Sequence, residues 1–389
     1  MTYESKPVYS FPLRRLGIIG GGQLGKMLVQ KARTMGFYTE TLDNSAISPA
    51  SGISDKHYTG SLYDTEKLEN LVKGNDVTTF EIEHVGVDVL KRLERAGYSI
   101  FPSPEVLEII QDKYVQKSTL DRAGIPVPKY VEAPHPSAEV LSAFGFPLVQ
   151  KAKKGGYDGR GVAVLRNQSD LGKLLQVPSM LEELVDIEKE LAVIVARSIK
   201  GEVVTFPVVE MVFDERVNIC DTVLAPARIT QQQEAEICRI AIRCVEVLNA
   251  VGVVAIEFFL SRNGQILVNE IAPRPHNSGH FSIEACLTSQ FEQHIRAVFG
   301  LPLGATNLHS TAIMVNMLGE PGFDGDPVIE GFNETLAVEG ASFHWYGKSE
   351  TKPFRKMGHV TILATDHASA LEKALKVKNL IKIKGRNKI

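Results

Sequence analysis

The apolar run Leu16-Gly17-Ile18-Ile19 passes directly into a glycine turn, Gly20 to Gly25. An amphipathic stretch from Lys26 to Met35 follows, and then a second run, Tyr38 to Leu42. A short buried strand that turns over a few glycines into a helix and returns to a strand is a βαβ unit, and such a unit commits the chain to a parallel sheet. The pattern continues with a strand over Asp76 to Ile82, a helix over Val87 to Ala96 and an extended Tyr98 to Phe101. Ser103 reads as the cap of one helix with Pro104 in its first position and Glu105 in its first turn, running to about Arg122. Gly124-Ile125-Pro126-Val127-Pro128 breaks the pattern and marks a domain boundary.

Between Phe146 and Leu165 two apolar strands flank the loop Lys153-Lys154-Gly155-Gly156-Tyr157-Asp158-Gly159-Arg160-Gly161, a β-loop-β unit whose glycines suit a flexible lid. Strands at Met180-Leu181 and Leu191 to Ala196 precede a long helix over Gln232 to Val251. A hairpin follows, and from about Thr311 strands and turns alternate up to an amphipathic Ala368 to Val377. A chain of 389 residues is too long for one ordinary core. The breaks divide it into a Rossmann-like N-terminal domain at 1–123, a lid domain at 124–197 and a third domain at 198–389 that carries the hairpin and a small C-terminal part. The class is α/β with α+β parts. The formal net charge of -3 gives no reason to expect nucleic acid or an anionic membrane as partner, so small-molecule chemistry is the reading. Cys220, Cys238, Cys244 and Cys286 have no C-x-x-C spacing and read as reduced, mostly buried thiols, which fits the cytoplasm. The polar first ten residues read as a frayed extension, not as a secretory signal.

Gly20-x-Gly22-x-x-Gly25 after a strand and before a helix is the setting of a dinucleotide fingerprint, with Asp43 at the end of the second strand where a ribose could lie. It is also nearly a phosphate-binding loop, Gly20 to Gly25 then Lys26, but Met27 stands where a hydroxyl would hold magnesium. A tight turn whose helix N-terminus faces some other anion accounts for the same residues. The hairpin is more informative. Asn263-Gly264 suits a two-residue type I′ turn between the apolar strands Val253 to Leu260 and Gln265 to Ile271, which puts Glu257 directly opposite Glu270. Their Cβ atoms would then lie roughly 5 Å apart. Two carboxylates facing each other in an apolar ladder repel, so one is protonated or a cation lies between them, and magnesium is the natural candidate.

The lid loop offers backbone N–H groups and the cations Lys153, Lys154 and Arg160 to a polyphosphate, with Lys151 just before it. After Glu270, two prolines stiffen Ala272-Pro273-Arg274-Pro275-His276-Asn277 and keep Arg274, His276 and Asn277 near the carboxylates. His276 and His280 have the spacing of a zinc pair, though on a segment with a glycine that does not suit a helix. His344-Trp345-Tyr346-Gly347-Lys348 and Arg355-Lys356 gather cations near the C-terminus, as a solvated basic surface or as an anion site.

Taken in order, these pieces resemble an ATP-grasp enzyme. The strings GGGQLG, TFEIEH, KKGGYDGRG, NEIAPRPHNSGH and HWYGK resemble the 5-(carboxyamino)imidazole ribonucleotide synthase family over nearly the whole chain after about residue 14. The resemblance implies an ATP- and bicarbonate-dependent carbon–nitrogen ligase of purine biosynthesis. Such an enzyme carboxylates 5-aminoimidazole ribonucleotide through carboxyphosphate and releases ADP and phosphate. It implies that Lys113 and Lys151 contact the ATP phosphates and that Gly156, Tyr157, Asp158, Gly159, Arg160 and Gly161 close over them. Glu182, Glu183, Leu184 and Val185 would be the adenine hinge, Glu190 the ribose ligand, Asn269 a further ATP contact, and Glu257 with Glu270 the magnesium ligands. Gln23, Leu24, Glu81, Tyr157, Asp158, Arg160, Lys348 and Arg355 would bind the ribotide, with Lys356 as an addition. Asp158, Arg274, His276 and Asn277 would act at bicarbonate and the reactive phosphoryl group, and the protein would be a homodimer through its first domain. The chain departs from the family with Phe213 where many members carry His, and with Lys113 where some carry Arg. A formate-dependent glycinamide ribotide transformylase, a nicotinamide-dependent dehydrogenase and a non-catalytic nucleotide sensor are the rival readings.

Overall fold

The computed structural model describes residues 10–156, 161–214 and 219–388. The first nine residues, read above as a frayed extension, lie outside this set, as do Tyr157, Asp158, Gly159 and Arg160 of the lid loop. The chain divides into two compact units, Met1–Pro104 and Glu105–Ile389.

The first unit is the expected parallel sheet. It contains β1 (Arg15–Ile19), α1 (Gln23–Thr34), β2 (Tyr38–Asp43), β3 (Lys56–Thr59), α2 (Thr65–Lys73), β4 (Val77–Phe80) and α3 (Val87–Arg95), with strand order β3-β2-β1-β4. Leu16, Ile18 and Ile19 of β1 are fully buried, as a parallel strand covered on both faces requires. The extended Tyr98 to Phe101 contributes a single parallel bridge between Ile100 and Thr78.

The second unit opens within α4 (Pro104–Gln111) and continues into α5 (Lys113–Arg122). The single helix expected there is broken in two. Asp112 leaves the helical conformation, and its carboxylate accepts the backbone N–H groups of Tyr114 at 3.0 Å and Val115 at 3.2 Å, capping a new helix instead of extending the old one. Next come β5 (Tyr130–Ala133), α6 (Ala138–Phe144), β6 (Leu148–Ala152), β7 (Val162–Leu165) and β8 (Ser179–Glu183), whose four strands form a sheet in the order β5-β8-β6-β7. Antiparallel β6 and β7 are the β-loop-β unit.

A nine-stranded sheet carries the rest. Its elements are β9 (Ile187–Arg197), β10 (Val203–Thr205), β11 (Val209–Asp214), β12 (Ile219–Ala225), α7 (Gln231–Val247), β13 (Gly252–Ser261), β14 (Ile266–Ala272), α8 (Ser282–Ala285), α9 (Gln290–Val298) and β15 (Thr311–Leu318). After β16 (Phe323–Glu330) and α10 (Phe332–Leu336) the chain adds β17 (Ala341–Trp345), β18 (Lys356–Ala364), α11 (His367–Leu380) and β19 (Lys382–Lys388), with β16 and β19 paired apart from the large sheet. The large sheet runs β14-β13-β9-β11-β12-β15-β18-β17, so β14 is an outer strand. Strand β9 is covered on both faces: Leu191, Val193 and Val195 join a core with α4, α5 and α7, while Ala192, Ile194 and Ala196 join a second core with Phe281 and Met314.

The β13–β14 hairpin reaches the expected facing of Glu257 and Glu270 by an unexpected route. A type I′ turn needs positive φ at both central residues, and only Gly264 has it, at +84°. The loop instead holds three residues, Arg262, Asn263 and Gly264, closed by Gly264 N–H to the Ser261 carbonyl at 2.8 Å and Ser261 N–H to the Gln265 carbonyl at 2.9 Å. This shifts the register by one residue, so Phe258 pairs with Val268 and Leu260 with Ile266. A bulge at Asn269 then restores it, and Glu257 meets Glu270. A Cβ at position 264 would touch nothing within 4 Å, so only conformation opposes one. Gly264→Ala is therefore expected to cost about 1–2 kcal/mol in denaturant unfolding. A neutral result would mean that Gly264 does not hold this conformation in solution.

Candidate active site

In the first unit the glycine turn already has its anion. The Glu81 carboxylate accepts Gly22 N–H at 2.8 Å and Gly25 N–H at 3.3 Å, while Asp43 accepts Gly21 N–H at 2.8 Å. A Cβ on Gly22 would stand 2.7 Å from Glu81 Oε1, which explains the glycine there. The helix N-terminus that would cradle a pyrophosphate thus binds a side chain of its own unit, and Asp43, proposed for a ribose, caps the loop. Of the other first-unit candidates, Gln23 opens α1 half-buried, and Leu24 is a core residue that could offer only its backbone to a ligand.

In the second unit a charged centre gathers at the bulged end of the hairpin. The bulge leaves two residues of β14 opposite one of β13, and two successive side chains find partners at the centre. Asn269 Oδ1 accepts Lys151 Nζ at 3.0 Å, and Glu270 pairs with Lys113. Lys113, Gln116, Lys117, Lys151, Met180, Asn269 and Glu270 line one small cavity. Burial and the facing Glu270, with Glu190 adding, push the Glu257 carboxyl up to about 8. Burial acts on Glu270 in the same direction, but Lys113, with Lys151 and Lys117 adding, outweighs it and keeps that carboxyl below its ordinary value. Burial likewise raises Glu190, on β9, to about 7 against the pull of Lys151.

Two facing carboxylates of which one is driven towards protonation are a donor set short of a cation. Among the described residues no group of three or more His, Cys, Asp or Glu is arranged to hold a metal ion. The facing pair fits a magnesium ion held by one or two carboxylates, with phosphate oxygens and water completing its shell.

Glu182 lies behind this centre. Its side chain is 2% exposed and pairs with Lys117 at 2.8 Å and Lys151 at 2.5 Å. Burial opposes its ionisation, yet Lys151 and then Lys117 hold the carboxyl at about 2. The side chain is thus committed inward, leaving only the backbone to act at the hinge. Glu183 is exposed and accepts Lys129 N–H at 2.9 Å. Leu184 and Val185 fall between β8 and β9, outside both strands. The lid loop is flanked by Gly155 and Gly161 at φ +80° and +77°, with Gly156 between them described and Lys153 tied to Glu132 and Asp112. The assignments made to Tyr157, Asp158, Gly159 and Arg160 fall outside the described residues.

The segment after β14 brings His276 to the carboxylate pair, its Nε2 lying 3.6 Å from Glu257 Oε1. Its Nδ1 accepts the Ser278 backbone N–H at 3.3 Å, and burial, with Arg274 and Lys356 adding, depresses its basicity well below the ordinary range. The ring is therefore neutral with its proton on Nε2, directed at Glu257. Asn277 and Asn316 exchange amide hydrogen bonds at 2.8 and 2.9 Å, and Asn316 also donates to the Cys220 carbonyl at 2.9 Å. The Arg274 guanidinium donates to the Pro275 carbonyl at 3.2 Å. His280, the possible zinc partner of His276, instead accepts from Gln290 at 3.2 Å and stacks on His359 at 4.7 Å, which in turn stacks on His344 at 4.4 Å.

Of the C-terminal cations, Lys348 reaches the Lys356 carbonyl at 2.6 Å, and Arg355 is exposed with one N–H on the Glu350 carbonyl at 2.8 Å. Phe354 is held at φ 62°, a conformation rare for a bulky residue, and its N–H binds the Gly319 carbonyl at 2.7 Å. Lys356, expected only as an addition, acts electrostatically on both Glu257 and His276. The sequence reading missed Gln116, Lys117 and Asn316 altogether. For Lys117 one signal was present: it stands four residues after Lys113 on one helix face, so the two share a direction.

The chain matches a ribonucleotide synthetase preATP-grasp domain over residues 13–111, an ATP-grasp domain over 118–291 and a phosphoribosylaminoimidazole carboxylase C-terminal domain over 312–373. The N5-carboxyaminoimidazole ribonucleotide synthase of Synechococcus elongatus is 40% identical over 378 residues, 95% of this chain and 94% of its own length. The phosphoribosylaminoimidazole carboxylase of Ogataea methanolica is 42% identical over 366 residues, 90% of this chain and 66% of its own. The chain thus spans about two thirds of that longer relative and nearly all of the shorter one. Among solved structures, N5-carboxyaminoimidazole ribonucleotide synthetase from Thermotoga maritima matches with a TM-score of 0.90 at 52% identity, covering 96% of this chain and 100% of the other. N5-carboxyaminoimidazole synthase from Aspergillus clavatus, in complex with ADP and 5-aminoimidazole ribonucleotide, matches with a TM-score of 0.87 at 34% identity, covering 94% of this chain and 98% of the other.

Proposed function

The chain belongs to the N5-carboxyaminoimidazole ribonucleotide synthase family of ATP-grasp ligases, and from that premise we propose how its residues divide the reaction. ATP transfers its terminal phosphoryl group to bicarbonate. The ribotide amine attacks the carboxyl carbon of the resulting carboxyphosphate, phosphate leaves, and N5-carboxyaminoimidazole ribonucleotide and ADP are released in the service of purine biosynthesis. The observation that carries the ATP assignment is the convergence of Lys113, Lys151, Asn269 and Glu270 on one cavity beside Glu257. Glu257 and Glu270 would hold magnesium, which when bound supplies charge neutralisation at the phosphates.

Lys113 and Lys151 present ammonium groups to the same phosphate oxygens, while backbone groups of Leu184 and Val185 take the adenine and Glu190 the ribose. Arg274 and Asn277 bind bicarbonate and the transferring group. His276 faces Glu257 with Nε2 at 3.6 Å, and its depressed basicity makes it a group that orients and does not abstract. The glycine-flanked lid closes over the site, because an acyl phosphate is lost to water in an open one. Gln23, Leu24 and Glu81 of the first unit keep the ribotide assignment that the resemblance gives them, as do Tyr157, Asp158 and Arg160 of the lid. The three-part division at 1–123, 124–197 and 198–389, a cytoplasmic location and a homodimeric state complete the reading. No helix of the described residues is long and apolar enough to cross a membrane.

Lys348, Arg355 and Lys356 are assigned to the ribotide phosphate, which is best held by cations that hydrogen-bond it directly. Arg355→Ala is expected to raise the KM for the ribotide about tenfold, or ~1.4 kcal/mol of binding, and to leave the KM for ATP in place. Steady-state phosphate release with each substrate varied in turn reads both constants. An unchanged ribotide KM, or equal damage to both, would remove the C-terminal cluster from the phosphate site.

A further inference from the structure

Strand β14 is an outer strand of the nine-stranded sheet, yet five of its backbone groups between Val268 and Ile271 are taken by partners outside that sheet. Side chains of α5 take most of them. Ile271 N–H donates to Gln116 Oε1 at 3.1 Å, and the Ile271 carbonyl accepts Gln116 Nε2 at 3.3 Å, so one side-chain amide pairs with that residue as a neighbouring strand would. Lys117 Nζ donates to the carbonyls of Val268 at 3.2 Å and Asn269 at 2.9 Å, which are the bulged residue and the one before it. The Val268 N–H goes to the Pro126 carbonyl at 2.8 Å. Gln116 and Lys117 are 3% and 2% exposed, so neither is a surface residue that settled on the strand by chance. The same Lys117 pairs with Glu182, which also holds Lys151, the partner of Asn269.

We infer that Gln116 and Lys117 are positioning residues of the reaction: standing where a further strand would pair, they fix the bulge at Asn269 and so hold Asn269 towards Lys151 and Glu270 towards Glu257. A bulge is a local departure from the ladder, and the strand without its outer partners has a regular register available to it. In that register Asn269 and Glu270 would alternate faces, and one of them would leave the site. The inference rests on the assignment of Glu270 to the metal given above.

The test measures ADP affinity by calorimetry with and without Mg2+, together with amide hydrogen exchange over residues 266–272. Gln116→Met keeps the length and apolar stem of the side chain and removes both hydrogen bonds to Ile271. It is expected to diminish the Mg2+-dependent gain in ADP affinity by about tenfold or more, the usual effect of losing a group that orients a metal ligand. Metal-free ADP affinity should change by less than the Mg2+-dependent gain, and exchange at Ile271 should accelerate. Lys117→Met is expected to show the same loss of gain. Should either variant fold poorly, Gln116→Glu keeps the acceptor for Ile271 N–H and is expected to fall between wild type and Gln116→Met. Glu270→Gln is the reference. If it loses the gain while Gln116→Met and Lys117→Met retain it in full, the positioning role is overturned and the metal site stands. If Glu270→Gln itself retains the gain, the metal site is overturned and the positioning role with it.

Discussion

Replacing Glu270 with Gln is expected to lower ATP turnover by at least ~100-fold, since a metal at the phosphates supplies several kcal/mol and the variant removes one of its two carboxylates. Stability should respond far less. In the metal-free protein the substitution takes away the partner of Lys113 and, at the same time, the charge that faces Glu257, and these changes oppose each other. Metal-free melting temperature and single-turnover ADP formation, measured side by side, separate the two roles. A variant that keeps more than about a tenth of wild-type turnover, ~1.4 kcal/mol in barrier, would sink the metal assignment.

Glu182→Gln should show the reverse, with its largest effect on folding. The substitution leaves Lys117 inside the unit at 2% exposure without its counter-ion and removes a partner of Lys151, and breaking a buried pair in this way costs about 3–5 kcal/mol. The Glu182 carboxyl ionises at about 2 when folded against an ordinary 4.5. A depressed folded value means that the contribution is complete above about 4.5 and is lost as the pH falls towards 2. Denaturant unfolding of wild type and variant should therefore differ most at neutral pH and converge in acid. A difference below about 1 kcal/mol, or one that ignores pH, would show that Glu182 is not the anchor of the two lysines.

Much of this arrangement could be read from residue order, because its main signals are local. The strand–glycine–helix opening needs only Leu16 to Met35, and the antiparallel lid strands need only the two apolar runs around Gly155 to Gly161. The facing of Glu257 and Glu270 was legible from the hairpin, although two unseen features offset each other there: a three-residue loop where two residues were expected, and a bulge at Asn269. Bulges leave no periodic trace, since the surrounding apolar alternation tolerates one extra polar residue. Asp112 was misread because its side-chain cap, not a helix-breaking residue, ends the first helix of the pair. Lys117, Gln116 and Asn316 were invisible for a different reason. Each meets its partner across a long stretch of chain, as Gln116 meets Ile271 over 155 residues, and hydrophobic periodicity does not say which polar side chain is buried or against what. The glycine turn shows the same limit: three glycines announce an anion, but only the fold reveals that the anion is Glu81.

The side chains of α5 along β14 also bear on how the chain stays in solution. A nine-stranded sheet whose last strand offered free N–H and carbonyl groups would be a template on which a second molecule could add a strand, the route to aggregates and swapped dimers. Strand β14 is largely apolar, with Ile266, Leu267, Val268 and Ile271 in its seven residues, so it would be an adhesive edge if exposed. Gln116, Lys117 and Pro126 occupy that edge from inside the same chain. A nascent chain that has folded through the hairpin already contains these residues, since α5 precedes β14 in sequence. The seal over Val268 to Ile271 is therefore available as soon as the strand is made.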